Sequence, residues 1–245
     1  MPEIIKTKAI VIRKIDFGDT SQITTFYTPL YGKLSGILKG ARSGKSKLKN
    51  KVDLLNHLEI VIYRKESRDL QIVSQADLIS AFPRIKEDLE KLKYGSAIVE
   101  LLLNLTSENE KNERLFRGTA KVLDILDSTN IKPSNIFAKY LYFFIKEIGY
   151  DIQVNKCSEC DSDLSKSYSF GFKFDQGILC ENCKSKFDAA ENITSEHFRL
   201  LNCLNSKNYC VEFKQSLINK MIHLMEKYLI YHIPEFKGIK SIYMY

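Results

Sequence analysis

Residues 157–183, CSECDSDLSKSYSFGFKFDQGILCENC, contain two C-x2-C pairs, Cys157/Cys160 and Cys180/Cys183, separated by 19 residues. A tight turn brings residues i and i+3 together, so each pair can present two thiolates to one metal ion, and two pairs complete a tetrahedron. The spacing predicts one structural Zn²⁺ on these four cysteines, with buried free thiols or two disulfides as the alternatives. Four sulfur ligands leave no open coordination position, which argues against a catalytic metal.

The residues between the two pairs predict the hairpin of a zinc ribbon. Residues 169–174 alternate like a short strand, and 175–177, Asp-Gln-Gly, have the composition of a turn. We expect the ribbon to occupy residues 150–190. Cys203 and Cys210 lie outside the motif, and Cys203, among three leucines, is expected to be a core thiol.

The first 80 residues predict β-structure. Five short runs rich in β-branched and aromatic residues are separated by turn compositions; they span residues 4–15, 22–27, 34–38, 58–63 and 70–79. No helical pattern separates these runs, which favours a small five-stranded barrel of the OB type over a parallel sheet.

From Pro83 onward the hydrophobic period becomes helical. One stripe follows Ile85, Leu89, Leu92, Ser96, Val99 and Leu103, and further helices are predicted over 113–126, from Pro133 to about 148, from Thr194, and over 213–232. The fold class is therefore α+β multidomain. The predicted division is an OB-fold nucleic-acid-binding domain at 1–80, a helical domain in two parts at 81–149 and 191–245, and the embedded four-cysteine zinc ribbon at 150–190.

Positive charge is concentrated near the N-terminus. Of the net +7, residues 1–80 carry +6, and residues 20–52 contain seven basic residues and no acidic one. A patch of one sign indicates a polyanionic partner, either nucleic acid or an anionic membrane surface, and nucleic acid fits the barrel-like strands better. The candidate DNA-binding residues are Lys33, Lys39, Arg42, Lys45, Lys47, Lys49 and Lys51. Tyr27 and Tyr31 are candidates for stacking on bases.

Enzymatic motifs are not supported. Residues 40–46, GARSGKS, resemble a phosphate-binding P-loop, but only three residues separate the glycines and the following KLKNK does not begin a helix. The four histidines lack metal-ligand spacing, and there is no nucleophile-elbow motif. No apolar run is long enough to span a bilayer, and the N-terminus lacks a signal-peptide pattern. We expect a cytoplasmic protein that is not an enzyme.

The chain resembles the RecO family of recombination mediators. The resemblance rests on Ala9-Ile-Val-Ile-Arg13 followed by Asp16-Phe-Gly-Asp19, on Leu38-Lys-Gly-Ala-Arg42 with its basic continuation through Lys47, and on the four cysteines after a helical region. Tyr228, His232 and the pair Lys240-Ser241 also fit. These features follow the family order along nearly the whole chain.

The resemblance implies an OB barrel, a helical domain and a zinc ribbon in a cytoplasmic, nucleoid-associated protein. It also implies binding of single- and double-stranded DNA, annealing of complementary strands, and joint action with RecR to load RecA onto DNA coated by single-strand-binding protein (SSB), whose C-terminal tail docks on the helical domain. Lys39 and Arg42 are the best transfers of the barrel's DNA contacts, and Lys184 and Lys186 are weaker ones. The competing hypotheses are an RNA-binding or translation-associated OB/zinc-ribbon module and a nucleic-acid enzyme.

Overall fold

The computed structural model describes residues 2–43, 46, 48, 51–186, 191–207, 209 and 213–244. Two compact units are present: Met1–Asn130 with Lys240–Tyr245, and Ile131–Ile239. We call them the first and second units. Their boundary falls inside the predicted helical segment 81–149, so the first three helices belong with the sheet. The four-part division by sequence stays a prediction.

The five predicted strands are confirmed in the first unit. They are β1 (Glu3–Phe17), β2 (Ser21–Thr28), β3 (Gly32–Leu38), β4 (His57–Arg64) and β5 (Leu70–Ser80). Their order in the sheet is β1-β2-β3-β5-β4, and β4 pairs with β1, so the sheet closes on itself. The β3–β5 pairing is parallel and the others are antiparallel.

Alternation of side chains gives the sheet a buried interior. In β3, for example, Leu34, Gly36 and Leu38 are buried while the residues between them are half-buried. Gly36 is required by this packing, because a Cβ there would lie 2.5 Å from Cγ2 of Val73. The interior is filled mainly by aliphatic residues: Ile5, Ala9, Val11, Phe26, Leu34, Leu38, Ala41, Val52, Leu58, Ile60, Ile62, Val73 and Ala76.

The helical pattern after Pro83 forms two helices, so the single continuous stripe predicted from Ile85 to Leu103 is wrong. They are α1 (Pro83–Glu87) and α2 (Leu89–Leu105). Asp88 separates them because its backbone is extended and its carboxylate accepts a hydrogen bond from the Lys91 amide, which caps α2. Leu89 is therefore exposed, and the buried face of α2 includes Tyr94, Ile98 and Leu101 instead.

The third helix, α3 (Glu113–Ser128), packs on the sheet through one aromatic side chain. The ring of Phe116 stacks against Tyr27 of β2 at a centroid distance of 6.4 Å and meets His57 of β4 edge-on at 5.7 Å. Leu115, Val122 and Leu126 are buried as the helical spacing predicts. The helix is thus fixed to the sheet on one face, and its opposite face is exposed.

The second unit surrounds a small sheet with helices. It contains α4 (Pro133–Glu147), β6 (Phe170–Lys173), β7 (Gly177–Leu179), α5 (Glu181–Lys184), β8 (Glu191–Ile193), α6 (Ser195–Asn205) and α7 (Gln215–His232). The predicted hairpin is confirmed as β6–β7. Strand β8, which pairs with β6, was not predicted. Thr194 is the N-cap of α6 as predicted, in a capping box with His197.

The expectation that Cys203 is a core thiol is wrong: its side chain is half-buried and disulfide-bonded. Cys210 lies outside the described residues. Among the helices of the described residues, none is long and apolar enough to cross a membrane.

Candidate metal centre and nucleic-acid interface

The four predicted cysteines come together in the second unit. Their Sγ atoms all lie within 4.8 Å of one another, and three of the side chains are buried while Cys160 is exposed. All four are free of disulfides. The disulfide alternative considered for these residues is therefore wrong for this structure.

Backbone turns and one short helix hold the thiols in place. The first pair lies in a turn in which the amide of Asp161 donates to the carbonyl of Cys157 at 3.0 Å. Asp161 itself has a positive φ of 55°, which closes this turn. The second pair is set by α5, because Cys180 is its N-cap and Cys183 lies within it.

The two pairs are also joined to each other. The amide of Cys180 donates to Sγ of Cys157 at 3.3 Å. The amide of Ser158 donates to the carbonyl of Ile178 in β7 at 3.0 Å. These bonds fasten the first turn to the hairpin that carries the second.

The sulfur geometry fits a tetrahedral ion. Zinc–sulfur bonds of about 2.3 Å in a tetrahedron place sulfurs about 3.8 Å apart. Sγ of Cys160 and Sγ of Cys180 are 3.7 Å apart. A set of four sulfur donors selects zinc or iron–sulfur centres over hard cations. The four cysteines could therefore hold one metal ion.

The protonation of the thiols depends on local contacts. The hydroxyl of Ser162, 3.2 Å from Sγ of Cys160, lowers the pKa of Cys160 to about 6. Burial raises the pKa of Cys183 to about 12. A divalent cation stabilises all four thiolates together, which offsets these opposing preferences. Sequence reasoning did not identify Ser162 as a neighbour of this cluster.

Lys39 and Arg42 are the exposed members of the predicted DNA-binding set among the described residues. Lys39 follows β3 directly and forms no ion pair within the part of the chain that the structure describes. Arg42 contacts the β1–β2 hairpin instead of pointing freely into solvent: Nη1 donates to the carbonyl of Gly18 at 3.0 Å, and Nε lies 3.4 Å from Oδ2 of Asp16. Arg42 therefore connects two loops at one end of the sheet.

Lys33 and Lys51 have intramolecular partners. Nζ of Lys33 donates to the carbonyl of Leu103 near the end of α2 at 2.8 Å, and burial lowers the pKa of Lys33. Nζ of Lys51 lies 2.8 Å from Oδ1 of Asp77. The ammonium groups of Lys33 and Lys51 are therefore bound by groups of the protein itself. Three more predicted residues, Lys45, Lys47 and Lys49, lie outside the described residues.

The two tyrosines that were expected to stack on bases are not fully exposed. Tyr27 is 1% exposed because it packs on α3, so the prediction that it stacks on bases is wrong. Tyr31 is half-buried, with the guanidinium of Arg64 4.9 Å from its ring centroid. Of the weaker candidates in the second unit, Lys184 is half-buried and Lys186 is exposed.

The fold and the site define a protein with a closed five-stranded sheet, a helical part and a four-cysteine site suited to a metal ion. The family profile described as Recombination protein O N terminal matches residues 1–82, and the one described as Recombination protein O C terminal matches residues 86–241. The chain therefore belongs to the RecO family.

Individual relatives agree with this assignment. The DNA repair protein RecO of Chlorobium limicola is 35% identical over 162 residues, which cover 66% of this chain and 62% of that protein. The RecO of a Thermoanaerobacter species is 33% identical over 76% of this chain and 74% of its own length. That of Acetivibrio thermocellus is 28% identical over 92% and 90%, respectively.

Proposed function

We propose that this protein is a recombination mediator in DNA repair that binds single- and double-stranded DNA and anneals complementary strands. The observation that carries the proposal is the match to both RecO profiles over almost the whole chain. The concentration of basic residues in the first 80 positions supports it, since a surface of one sign attracts a phosphate backbone.

The proposed mechanism needs no covalent chemistry. Two complementary strands repel each other through their phosphates, and a basic surface that neutralises both lowers this repulsion. The closed sheet acts as an OB-type barrel in this proposal, with Lys39 and the basic segment 42–51 as its DNA contacts. Base pairing then supplies the free energy of annealing, and the protein acts as a binding platform and not as an enzyme.

The second unit has a supporting role in the proposal. Cys157, Cys160, Cys180 and Cys183 hold one Zn²⁺ as a zinc ribbon, and the ion stabilises residues of the region 150–190. The bound ion supplies structural cross-linking and no reactive position. The free energy of metal binding becomes folding free energy of the ribbon, because the four thiolates converge only in the folded state.

Partners follow from family membership. We propose that the protein acts in the cytoplasm, at the nucleoid, with RecR, that it contacts the C-terminal tail of SSB through its helical part, and that it thereby promotes RecA loading. RecA is then an indirect partner, because it binds the DNA that this protein and RecR have made accessible.

Strand annealing on SSB-coated oligonucleotides, with and without RecR, tests the function. We expect the wild-type protein to accelerate annealing of coated strands and RecR to alter that rate. Combined charge reversal at Lys39, Arg42, Lys45 and Lys47 is expected to abolish annealing, while the melting temperature falls only by the small contribution of the exposed Arg42–Asp16 ion pair. Unchanged annealing by this variant would defeat the proposed mechanism, and a preference for structured RNA over DNA would favour an RNA-binding module.

A further inference from the structure

The outer face of the closed sheet carries a row of apolar side chains that crosses all five strands. The strand register places its members opposite one another from strand to strand, and residues opposite each other in a sheet point to the same face. We call this set the apolar row, and its members are Ile15 (β1), Ile23 (β2), Ile37 (β3), Ile72 (β5), Tyr63 (β4) and Ile4 (β1).

The apolar row does not belong to the interior of the sheet. Buried neighbours on both sides turn Ile37 outward in β3 and Ile23 outward in β2. Ile15, Tyr63 and Ile4 are 44%, 37% and 66% exposed, and the members in β2, β3 and β5 are half-buried. From β1 to β4 the row crosses four gaps between strands, about 19 Å in total. A continuous apolar surface of this kind is typical of an interaction site.

Basic residues border the apolar row on both sides. On one side Arg13 of β1 lies opposite Thr25, which lies opposite Ser35. On the other side Lys39 directly follows β3, two positions beyond Ile37. Arg13 and Lys39 are exposed and form no ion pair within the part of the chain that the structure describes. The row therefore lies between two cations that have no protein partner among the described residues.

The carboxylates around this face do not neutralise those two cations. Three of them lie between 2.6 and 3.6 Å from the basic group of another side chain: Asp16, Glu59 and Glu66. Three exposed ones lie at strand ends or in the connections between strands: Glu3, Asp19 and Asp69. An apolar surface between unpaired cations complements a polyanion that also has apolar parts, more than it complements an uncharged protein surface.

We infer that the apolar row contacts the unpaired bases of single-stranded DNA, while Arg13 and Lys39 contact its phosphates. Single-stranded DNA combines charged phosphates with free base faces, which matches this surface. In OB-type barrels the face of the second and third strands binds oligonucleotides, and the row crosses β2 and β3. A duplex stacks its bases inside and offers no free face. This inference rests on the proposed function and adds to it a preference for unpaired bases.

Contacts to bases and contacts to phosphates differ in their salt dependence. Phosphate contacts release counterions, so their contribution to log K falls as salt increases. Burial of apolar surface releases no counterions, so its contribution does not depend on salt in this way. Loss of the apolar row is therefore expected to lower the affinity by the same factor at every salt concentration, without a change of slope.

Binding of a thymidine oligonucleotide and of an abasic strand of the same length tests the inference. We expect the wild-type protein to bind the thymidine strand more tightly, because the abasic strand has the phosphates without the bases. In Ile23→Thr/Ile37→Thr the affinity for the thymidine strand is expected to fall about tenfold. The affinities for the abasic strand and for duplex, and the salt slope, are expected to stay unchanged.

The matched control is Leu78→Thr/Ile79→Thr, which changes an apolar pair at the far end of β5 that is 44% and 45% exposed. We expect it to keep the wild-type affinities. Threonine is β-branched and suits a strand, so both variants should melt near the wild-type temperature. If Ile23→Thr/Ile37→Thr melts well below it, Ile15→Thr at the exposed end of the row repeats the test, with an expected loss of about threefold.

Several outcomes would overturn the inference and leave DNA binding through phosphates standing. Equal binding of the two strands by the wild-type protein is one, and a base preference that survives in the variant is another. A loss of duplex binding in the variant, or an equal loss in the control, would also overturn it. Dissociation of an oligomer in the variant, with the base preference intact, would assign the row to contact between two copies of the chain. A wild-type protein that binds no DNA would remove both the inference and the proposed function.

Discussion

Asp53 shows how a single residue ties the β3–β4 connection to its surroundings. Its carboxylate accepts from Nζ of Lys14 in β1 at 2.9 Å and from Nζ of Lys86 in α1 at 3.1 Å. Partial burial raises the pKa of Asp53, but the two lysines outweigh it and lower the pKa from 3.8 to about 2. Lys86 also donates to Oδ1 of Asn56 at 2.6 Å. The connection is thus held at both the strand and the helix.

We predict that Asp53→Asn lowers the free energy of unfolding at pH 7 by about 1 kcal/mol. A pKa lowered from 3.8 to about 2 corresponds to about 2.5 kcal/mol, which solvent screening of this half-exposed carboxylate reduces. Because the folded-state pKa is the lower one, the stabilisation is present above pH 4 and is lost as the pH falls from about 4 to about 2. Chemical denaturation at several pH values measures it, with the exposed Asp19→Asn as control. A gap between wild type and Asp53→Asn that persists at pH 2 would contradict this explanation.

Gly32 and Gly18 form a matched pair for a second prediction. Both have positive φ, 54° and 57°, but a Cβ at Gly32 would lie 2.6 Å from the carbonyl oxygen of Glu110 and 2.7 Å from that of Ser107, whereas at Gly18 it would meet nothing within 4 Å. We predict that Gly18→Ala costs about 1 kcal/mol through its φ alone. Gly32→Ala is expected to cost clearly more, because backbone must move. Equal losses in thermal or chemical unfolding would show that the close approach has no energetic weight.

The sequence could not predict how individual side chains are used. Residues 20–52 show the positive charge, but not that the ammonium of Lys33 is bound by the carbonyl of Leu103, 70 positions away. The burial of Tyr27 depends in the same way on Phe116 of α3. Such contacts join distant parts of the chain, and no local pattern encodes them.

At the scale of elements, local patterns predicted much more. The five strands agree with their β-branched runs to within a few residues, and the C-x2-C pairs predicted the cluster because their geometry is set within four residues. The main error came at Asp88, where a hydrophobic stripe continued across a helix boundary. Its capping side chain carried the missing signal. The short strand β8 has too few residues to show a period.

The zinc content of the ribbon can be predicted from its four cysteines. We expect the wild-type protein to contain one zinc per chain, and Cys157→Ser to lose it, because three thiolates no longer complete the tetrahedron. Ser162→Ala is the control, since it keeps all four sulfurs. Elemental analysis measures the metal, and protease digestion reports whether the region 150–190 has opened. Full zinc content in Cys157→Ser, or wild-type protein with four titratable thiols and no metal, would contradict the assignment.

At the scale of the whole molecule, charge is divided unevenly along the chain. Residues 1–80 carry +6 of the net +7 and include the predicted DNA contacts. The chain also returns to the first unit at its end: the amides of Lys240 and Ser241 donate to the carboxylate of Glu100 in α2, at 2.9 and 2.8 Å. The first unit is therefore built from both ends of the sequence and carries the proposed DNA contacts.

Binding of the wild-type protein to a single-stranded oligonucleotide over a range of salt concentrations tests the central claim most directly. If about five basic residues contact phosphates, log K falls against log salt with a slope of about −3.5. Binding that is tight at low salt and declines with this slope is the predicted result. A slope near zero, or no binding even at very low ionic strength, would contradict a mechanism based on neutralising the DNA backbone.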